Sequence, residues 1–371
     1  MFQIDKRHIK NFDYVLFVLV VVILLSGIMA IYSASYNVEM QTYSSYYIKQ
    51  IIWCILGVAV FLIFSAISYK RLISASLFLY IIGVISLVYV LMFGDVNMGA
   101  RRWIDIGNTS IQPSEFFKVI WVIVLGRIFK DINMDNLSFY EIIKKFLPVL
   151  IPVILIFLEP DLGTALIFLV VWGIVLLYRG INKYTFTIIL TVVLLSIPVI
   201  WANMHDYQRS RVISFLNPES DPFGSGYHVI QSKIAVGSGG FAGKGFLKGT
   251  QSHLKFLPEK HTDFIFSVIG EEFGFLGAAF ILTMFFGLLL RIIYISTYSK
   301  EPTAKIICVA VFGFLFFQFF VNASMVIGLM PVVGLPMPLI SYGGSSLITF
   351  MAMLGIVNSV SMRRYDRPAE F

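Results

Sequence analysis

Tyr14-Val15-Leu16-Phe17-Val18-Leu19-Val20-Val21-Val22-Ile23-Leu24-Leu25-Ser26-Gly27-Ile28-Met29-Ala30-Ile31-Tyr32 contains no charged residue and follows the basic stretch Lys6-Arg7-His8-Ile9-Lys10. A run longer than about 18 apolar residues is long enough to cross a bilayer as a helix. It is too long for a typical signal-peptide core and lacks a clear small-residue cleavage site, so it reads as an uncleaved first span. Several further runs of this length follow. Across the 371 residues, 58% are hydrophobic and only 13% are charged; a soluble domain carries about 25% charged residues. The chain therefore reads as an all-α, multi-pass membrane bundle of about ten transmembrane helices.

The spans fall near 14–34, 48–67, 72–93, 113–129, 146–158, 162–178, 184–203, 263–290, 305–329 and 342–361. The fourth and fifth are short, and Pro148 and Pro152 interrupt the fifth. Lys and Arg decide the orientation. With the N-terminus inside, the inner segments hold Lys6, Arg7, Lys10, Lys70, Arg71, Arg127, Lys130, Lys144, Lys145, Arg179, Lys183, Arg291, Lys300, Lys305, Arg363, Arg364 and Arg367. The short outer loops hold Lys49, Arg101 and Arg102. Both termini are expected to be cytoplasmic. The net charge of +7 flanks apolar runs rather than forming a nucleic-acid face, so anionic lipids and phosphorylated ligands are the expected counter-charges. Cys54 and Cys308 fall within apolar runs, where no disulfide or metal–thiolate site is expected.

One outer segment is long, from about Met204 to Thr262, within a single domain spanning 1–371. Loops of this length are usually functional or disordered. Spaced apolar residues (Val212, Ile213, Phe215, Val229, Ile230, Ile234) suit short amphipathic pieces on the membrane surface.

The segment ends in Pro258-Glu259-Lys260-His261-Thr262-Asp263-Phe264-Ile265-Phe266, where a carboxylate meets an apolar helix. Two readings fit Asp263. Thr262 and Asp263 suit a helix cap, favoured by the dipole. Alternatively Asp263 faces a cavity, because Ser267, Gly270 and Gly274 share its helical face. Glu271 and Glu272 lie deeper, where a charge costs about 2.5–3.5 kcal/mol unless it is partnered or lines a cavity.

Gln112-Pro113-Ser114-Glu115-Phe116-Phe117-Lys118 opens the fourth span, with Glu115 and Lys118 on one face: an intrahelical ion pair or a polar patch beside a cavity. Gly99-Ala100-Arg101-Arg102-Trp103 reads as an interfacial anchor or a two-guanidinium grip on phosphate. Glu159-Pro160-Asp161-Leu162-Gly163-Thr164 is a tight turn. Pro331, Gly334, Pro336 and Pro338 before Ser341-Tyr342-Gly343-Gly344-Ser345 break the approach to the last span, as at transporter and substrate sites. Gly237-Ser238-Gly239-Gly240-Phe241-Ala242-Gly243-Lys244-Gly245 lacks the Gly and Ser/Thr positions of a nucleotide P-loop. It reads as a hinge or as a loop offering backbone N–H groups and Lys244 to a pyrophosphate.

Taken in order, these motifs resemble the SEDS family (shape, elongation, division and sporulation proteins) along nearly the whole chain. They include Gln112-Pro113-Ser114-Glu115, Pro160-Asp161-Leu162-Gly163-Thr164, Asp221-Pro222, Leu257-Pro258-Glu259, His261-Thr262-Asp263-Phe264 and Leu335-Pro336-Met337-Pro338 with Ser341-Tyr342-Gly343-Gly344-Ser345. His205-Asp206-Tyr207-Gln208-Arg209 and Gly249-Thr250-Gln251-Ser252 are most similar to its rod-shape branch, with the division and sporulation branches as the alternative. Glu159 departs from the family, which more often has Gln there.

The resemblance implies a peptidoglycan glycosyltransferase of the bacterial cytoplasmic membrane. It would polymerise lipid II on the outer face, with undecaprenyl pyrophosphate as leaving group. The implied partners are a class B penicillin-binding protein (a transpeptidase) and other elongation-complex proteins. The catalytic acidic role falls on Asp263, as base, as ligand of a divalent cation (Mg2+ or Mn2+), or both. Cavity roles fall on Glu115, Lys118 and Asp161. Ser341 lies in the matching broken stretch. Positive charge for pyrophosphate comes from Arg101, Arg102, Arg209, Arg211, Lys233, Lys244 and Lys248. A lipid-linked-precursor flippase and a scaffold that only docks a transpeptidase are the competing readings.

Overall fold

The computed structural model describes residues 10–37, 42–97, 100–107, 109–130, 139–204, 206–218, 224–253 and 259–365. Lys6, Arg7, Gly99, His205, Asp221, Pro222, Leu257, Pro258 and Arg367 lie outside these residues, as does part of the long outer segment.

The apolar runs all fold as helices. α1 (Tyr14–Ala34) leads through a two-strand hairpin, β1 (Tyr36–Asn37) and β2 (Thr42–Tyr43), into α2 (Tyr46–Ala66). A short α3 (Tyr69–Ser74) precedes α4 (Ser76–Phe93). An antiparallel three-stranded sheet follows: β3 (Asp95–Asn97), β4 (Ala100–Ile106) and β5 (Thr109–Ile111). Then come α5 (Pro113–Ile128), α6 (Phe139–Leu158), α7 (Leu162–Arg179) and α8 (Lys183–Asn203). The long segment folds as α9 (Asp206–Leu216), α10 (Ser225–Gly239) and α11 (Thr250–His253). α12 (Ile265–Tyr298), α13 (Pro302–Val326) and α14 (Gly344–Met362) complete the chain.

Eight of these helices are long and apolar enough to cross a membrane. α5 and α6 coincide with the two short expected spans. α6 begins earlier than expected and runs through Pro148 and Pro152. A proline frees a backbone carbonyl, which must find another donor inside a membrane. The Tyr80 hydroxyl donates to the Pro148 carbonyl at 2.7 Å.

α13 and α14 form the centre; 83% of the α14 apolar window is buried, against 6% for α8 at the periphery. α14 packs most extensively on α2, and α12 packs on α1, α10 and α13. Cys54 and Cys308 are free and buried.

The bundle is polar at both ends in different ways. At one end Arg291 grips Asp13 with bonds of 2.9–3.1 Å, Asp13 N–H donates to Asn358, and Ser361 donates to the same carboxylate. Lys70 pairs with Glu301 at 2.6 Å nearby. This end joins the start of α1 to the end of α14. The other end holds the strands, the start of α12 and the broken approach to α14.

Candidate active site

The turn 259–264 ahead of α12 is fixed through its backbone. The Tyr342 N–H donates to the His261 carbonyl at 2.8 Å, the Ser341 hydroxyl to the Thr262 carbonyl at 2.6 Å, and the Asn322 amide to the Asp263 carbonyl at 2.9 Å. Three consecutive carbonyls are thus held by α13 and the broken 327–343 stretch. Asn322 also donates to the Leu335 carbonyl at 2.8 Å, and Gln318, one turn earlier, donates to Pro336 at 2.8 Å. Ser341 accepts the Met337 N–H at 2.8 Å. Ser341 is therefore a brace between the turn and the broken stretch. Glu259 (φ 48°) and Leu339 (φ 64°) adopt left-handed backbone on either side, a conformation costly for side-chain-bearing residues and concentrated at functional sites.

α12 takes Phe264, not Asp263, as its N-cap, and Thr262 donates back to Glu259. Asp263 is thus not the cap. Its carboxylate is half-buried and meets Arg211 across Gly334. That glycine has φ +79°, and a Cβ on it would lie 3.5 Å from an Arg211 nitrogen and 3.7 Å from Asp263 Oδ2. Burial pushes the Asp263 carboxyl up to about 6, Arg211 opposes the rise and Glu259 adds to it. A carboxylate tuned toward neutrality suits a general base.

Arg211 and Arg102 line one groove with Asp161, Gln208, Pro331 and Val332. Arg102 donates to the Glu159 carbonyl at 3.1 Å and to that of Pro160. Asp161 caps α7 through the Thr164 N–H at 3.2 Å and accepts from Gln112 at 3.1 Å. It shapes the groove through those bonds. From the sequence, Arg211 reads only as one of several surface cations and Gln112 only as part of its motif, while Gln318 and Asn322 carry no assigned role. The signal for the last two was faint: isolated amides four residues apart in an apolar helix.

Glu159 is fully buried, and neither carboxyl oxygen has a hydrogen-bond partner among the described residues. Burial, reinforced by Asp161 and opposed by Arg102, pushes it up from 4.5 to about 8. The folded protein then binds more protons than the unfolded chain between pH 4.5 and about 8, so stability falls as pH rises through that window. Glu159→Gln is expected to remove this fall. The variant should match the parent near pH 4 and melt higher near pH 9, roughly outside both ends of the window. An unchanged slope of melting temperature against pH would contradict the assignment.

Glu115 and Lys118 pair at 2.6 Å, both buried. Lys118 also donates to Gln318 at 3.1 Å and sits over the Phe350 ring. The pair thus reaches the Pro336 carbonyl through Gln318. Glu115, Lys118, Ser341, Asp161, Arg102 and Asp263 gather at this end of the bundle.

Arg101, Arg209, Lys233 and Lys244 do not join the groove. Arg101 is exposed on β4. Arg209 donates to the carbonyls of Trp201 and Ala202 at the end of α8. Lys233 is exposed and lies against Gly328. Lys244 donates to Glu271 and Thr250, both at 2.7 Å. Glu271 also accepts the N–H groups of Thr250, Gln251 and Ser252, and Glu272 accepts from Ser33. Both deep glutamates are therefore partnered.

The glycine-rich loop is docked on α12. A Cβ at Gly239 would lie 1.9 Å from the Gly270 carbonyl oxygen, and one at Gly243 2.1 Å from that of Glu272. The N–H groups of Lys244 and Gly245 bond the carbonyls of Glu271 and Glu272, at the kink around Gly274. Those amides are spent within the protein, so the loop is neither a hinge nor a pyrophosphate cradle.

Among the described residues, no group of three His, Cys, Asp or Glu can hold a metal ion. Asp263 faces a guanidinium rather than further oxygen ligands. Mg2+ is usually held by one or two carboxylates together with water and substrate phosphates, so Asp263 fits such an ion only as a single ligand shared with the substrate's pyrophosphate.

The family profile for FtsW, RodA and SpoVE, described as cell cycle proteins, matches residues 13–366. The peptidoglycan glycosyltransferase MrdB of Escherichia coli K12 is 43% identical, covering 77% of this chain and 78% of that protein. The peptidoglycan glycosyltransferase RodA of Treponema pallidum is 30% identical over 96% of this chain and 99% of its own. A chain from a peptidoglycan synthase complex, solved in a study of how polymerisation and crosslinking are coordinated, superposes with a TM-score of 0.81. It is 31% identical and covers 96% of this chain and 99% of that one. The Thermus thermophilus rod shape determining protein RodA gives 0.71 at 28% identity, covering 95% and 98%. With its helical bundle, its braced carboxylate and a profile match along nearly its whole length, this chain belongs to the FtsW/RodA/SpoVE (SEDS) family of cell cycle proteins.

Proposed function

We propose that this chain is a peptidoglycan glycosyltransferase that polymerises lipid II during cell-wall elongation. The observation that carries the reading is the Asp263 carboxylate, fixed through three backbone carbonyls and placed beside Arg211 at the edge of the Arg102 groove. The names of the relatives supply the chemical class; the groove supplies a place for it.

The reaction has few requirements. A sugar 4-hydroxyl attacks the anomeric carbon of the donor, opposite the pyrophosphate. The new C–O bond forms as the bond to the phosphate oxygen breaks, and an α-linked donor becomes a β-linked product. The leaving group, undecaprenyl pyrophosphate, takes the electron pair and is stabilised by the guanidiniums of Arg102 and Arg211. Asp263 takes the hydroxyl proton as general base. A substrate half made of lipid requires a groove reachable from the bilayer, and this one lies at the ends of membrane helices.

Glu271 and Glu272 bond to nearby groups rather than lining a path, which favours the transferase reading over the flippase one. Purified protein given lipid II should release undecaprenyl pyrophosphate in step with glycan bonds. Co-purification in mild detergent with a single-span class B penicillin-binding protein tests the partner. Full-rate synthesis alone, with no such partner captured, would refute that part.

The groove belongs on the outer face, since the opposite end of the bundle carries Lys70, Arg291, Lys300, Arg363 and Arg364. A cysteine replacing exposed Asp105 should react with an impermeant thiol reagent on intact spheroplasts, and one replacing exposed Lys300 should not. The reverse pattern would overturn the orientation.

A further inference from the structure

The turn that positions Asp263 also carries a ring. His261 stacks on Tyr46 at the start of α2, with centroids 4.3 Å apart and planes at 17°. Tyr342 meets Tyr46 edge-on at 5.0 Å and lies 5.9 Å from His261. Three segments distant in sequence thus converge on one aromatic cluster. It is not a closed core, because Tyr46 remains 37% exposed.

The cluster is also uncharged. Burial holds the His261 imidazole below its usual range, Glu259 opposes this and Lys260 adds to it. The two flanking charges are tied elsewhere: Glu259 accepts from Thr262 at 3.0 Å, and Lys260 donates to the Ser252 carbonyl at 2.6 Å.

Asp263 therefore has two different neighbourhoods. Toward Gly334 lie Arg211 and the Arg102 groove, which suit an anion. Through His261, two residues back along the same turn, lies a neutral aromatic surface. A polymerising transferase must hold two sugars with different demands. The donor brings a pyrophosphate to the reacting carbon. The acceptor brings only a hydroxyl, with any phosphate of its own a disaccharide away.

We propose that Tyr46, His261 and Tyr342 form the acceptor subsite, where the non-reducing sugar of the acceptor packs a C–H face against the Tyr46 ring. The C–H groups of a pyranose face are weakly positive and the ring face is negative, so the contact is favourable and needs no charge. The cluster sits on the turn that holds Asp263, so it places the 4-hydroxyl within reach of the base. An interfacial aromatic belt also uses Tyr, but it would steady the helix ends without favouring one substrate over the other.

This inference rests on the glycosyltransferase reading, and the test separates the two. The full chain is assayed with its transpeptidase partner, using two analogues. One is a lipid II whose 4-hydroxyl is capped, which serves only as donor. The other is a short glycan with a methyl glycoside at its reducing end, which serves only as acceptor. Tyr46→Ala should raise the acceptor KM about tenfold, the effect of one aromatic contact, with the donor KM unchanged. Tyr46→Phe should restore it. Equal shifts in both KM values, or none in the acceptor's, would overturn the inference.

If the wild-type protein forms no glycosidic bond, it is the enzyme reading that fails. The inference is then decided by equilibrium binding of the methyl glycoside. Loss of binding in Tyr46→Ala supports it, and wild-type binding overturns it. Melting temperature confirms that the variants fold.

Discussion

Asp263→Asn is expected to lower glycan synthesis by about 100-fold or more while leaving folding and partner binding intact. The substitution keeps the size and much of the hydrogen bonding of the side chain and removes only the charge. The contacts that hold residue 263 run through its carbonyl to Asn322, so they survive. A cap would tolerate Asn, since Asn caps as well as Asp, but Phe264 holds the cap position here. The pH profile adds a second signature. Burial raises the Asp263 carboxyl to about 6. The competent base is the ionised form, so wild-type activity should climb as pH rises through about 6 and level off above it. The residual activity of Asp263→Asn should lack that limb. Near-wild-type synthesis by the purified variant would return Asp263 to a structural role.

The second large effect concerns Glu115 and Lys118. Removing one partner of a buried pair strands the other, at a cost of about 3–5 kcal/mol. Lys118→Ala leaves Glu115 without its only hydrogen-bond donor among the described residues, since its second oxygen already lacks one. Glu115→Ala leaves Lys118 with Gln318 and the Phe350 face. Each single change should destabilise strongly, and the double change should cost less than the sum. Strict additivity in a thermal-stability cycle would mean that the two do not interact. Activity should fall with the single changes as well, because Gln318 links Lys118 to the Pro336 carbonyl in the stretch that braces Asp263.

How far the sequence reveals this molecule depends on the range of each interaction. The spans are legible because an apolar run satisfies its own backbone and is solvated by lipid, so length and composition suffice. The Glu115–Lys118 pair is legible because both residues lie on one helical turn. The start of α6 was not, because two prolines suggested a break that the Tyr80 hydroxyl helps to offset. Lys244 looked like a free cation near a glycine-rich loop. Its partner, Glu271, is distant in sequence, and nothing local announces the bond. The bonds of Arg209 are hidden for a different reason: its acceptors, close by in sequence, are main-chain carbonyls, which carry no sequence signature. The Asp263 site was visible as a carboxylate at a helix mouth. Its brace was not, because Asn322 and Gln318 gain meaning only when α13 meets the broken stretch before α14.

The decisive comparison sets the wild-type protein beside Asp263→Asn in the same proteoliposomes, with the proposed transpeptidase partner present. Incorporation of lipid II into glycan and movement of lipid II across the bilayer are measured together. The expected result is β-linked polymer from the wild-type protein and about 100-fold less from the folded variant in the same complex. Comparable polymer from both, or lipid movement with no polymer from either, would contradict it.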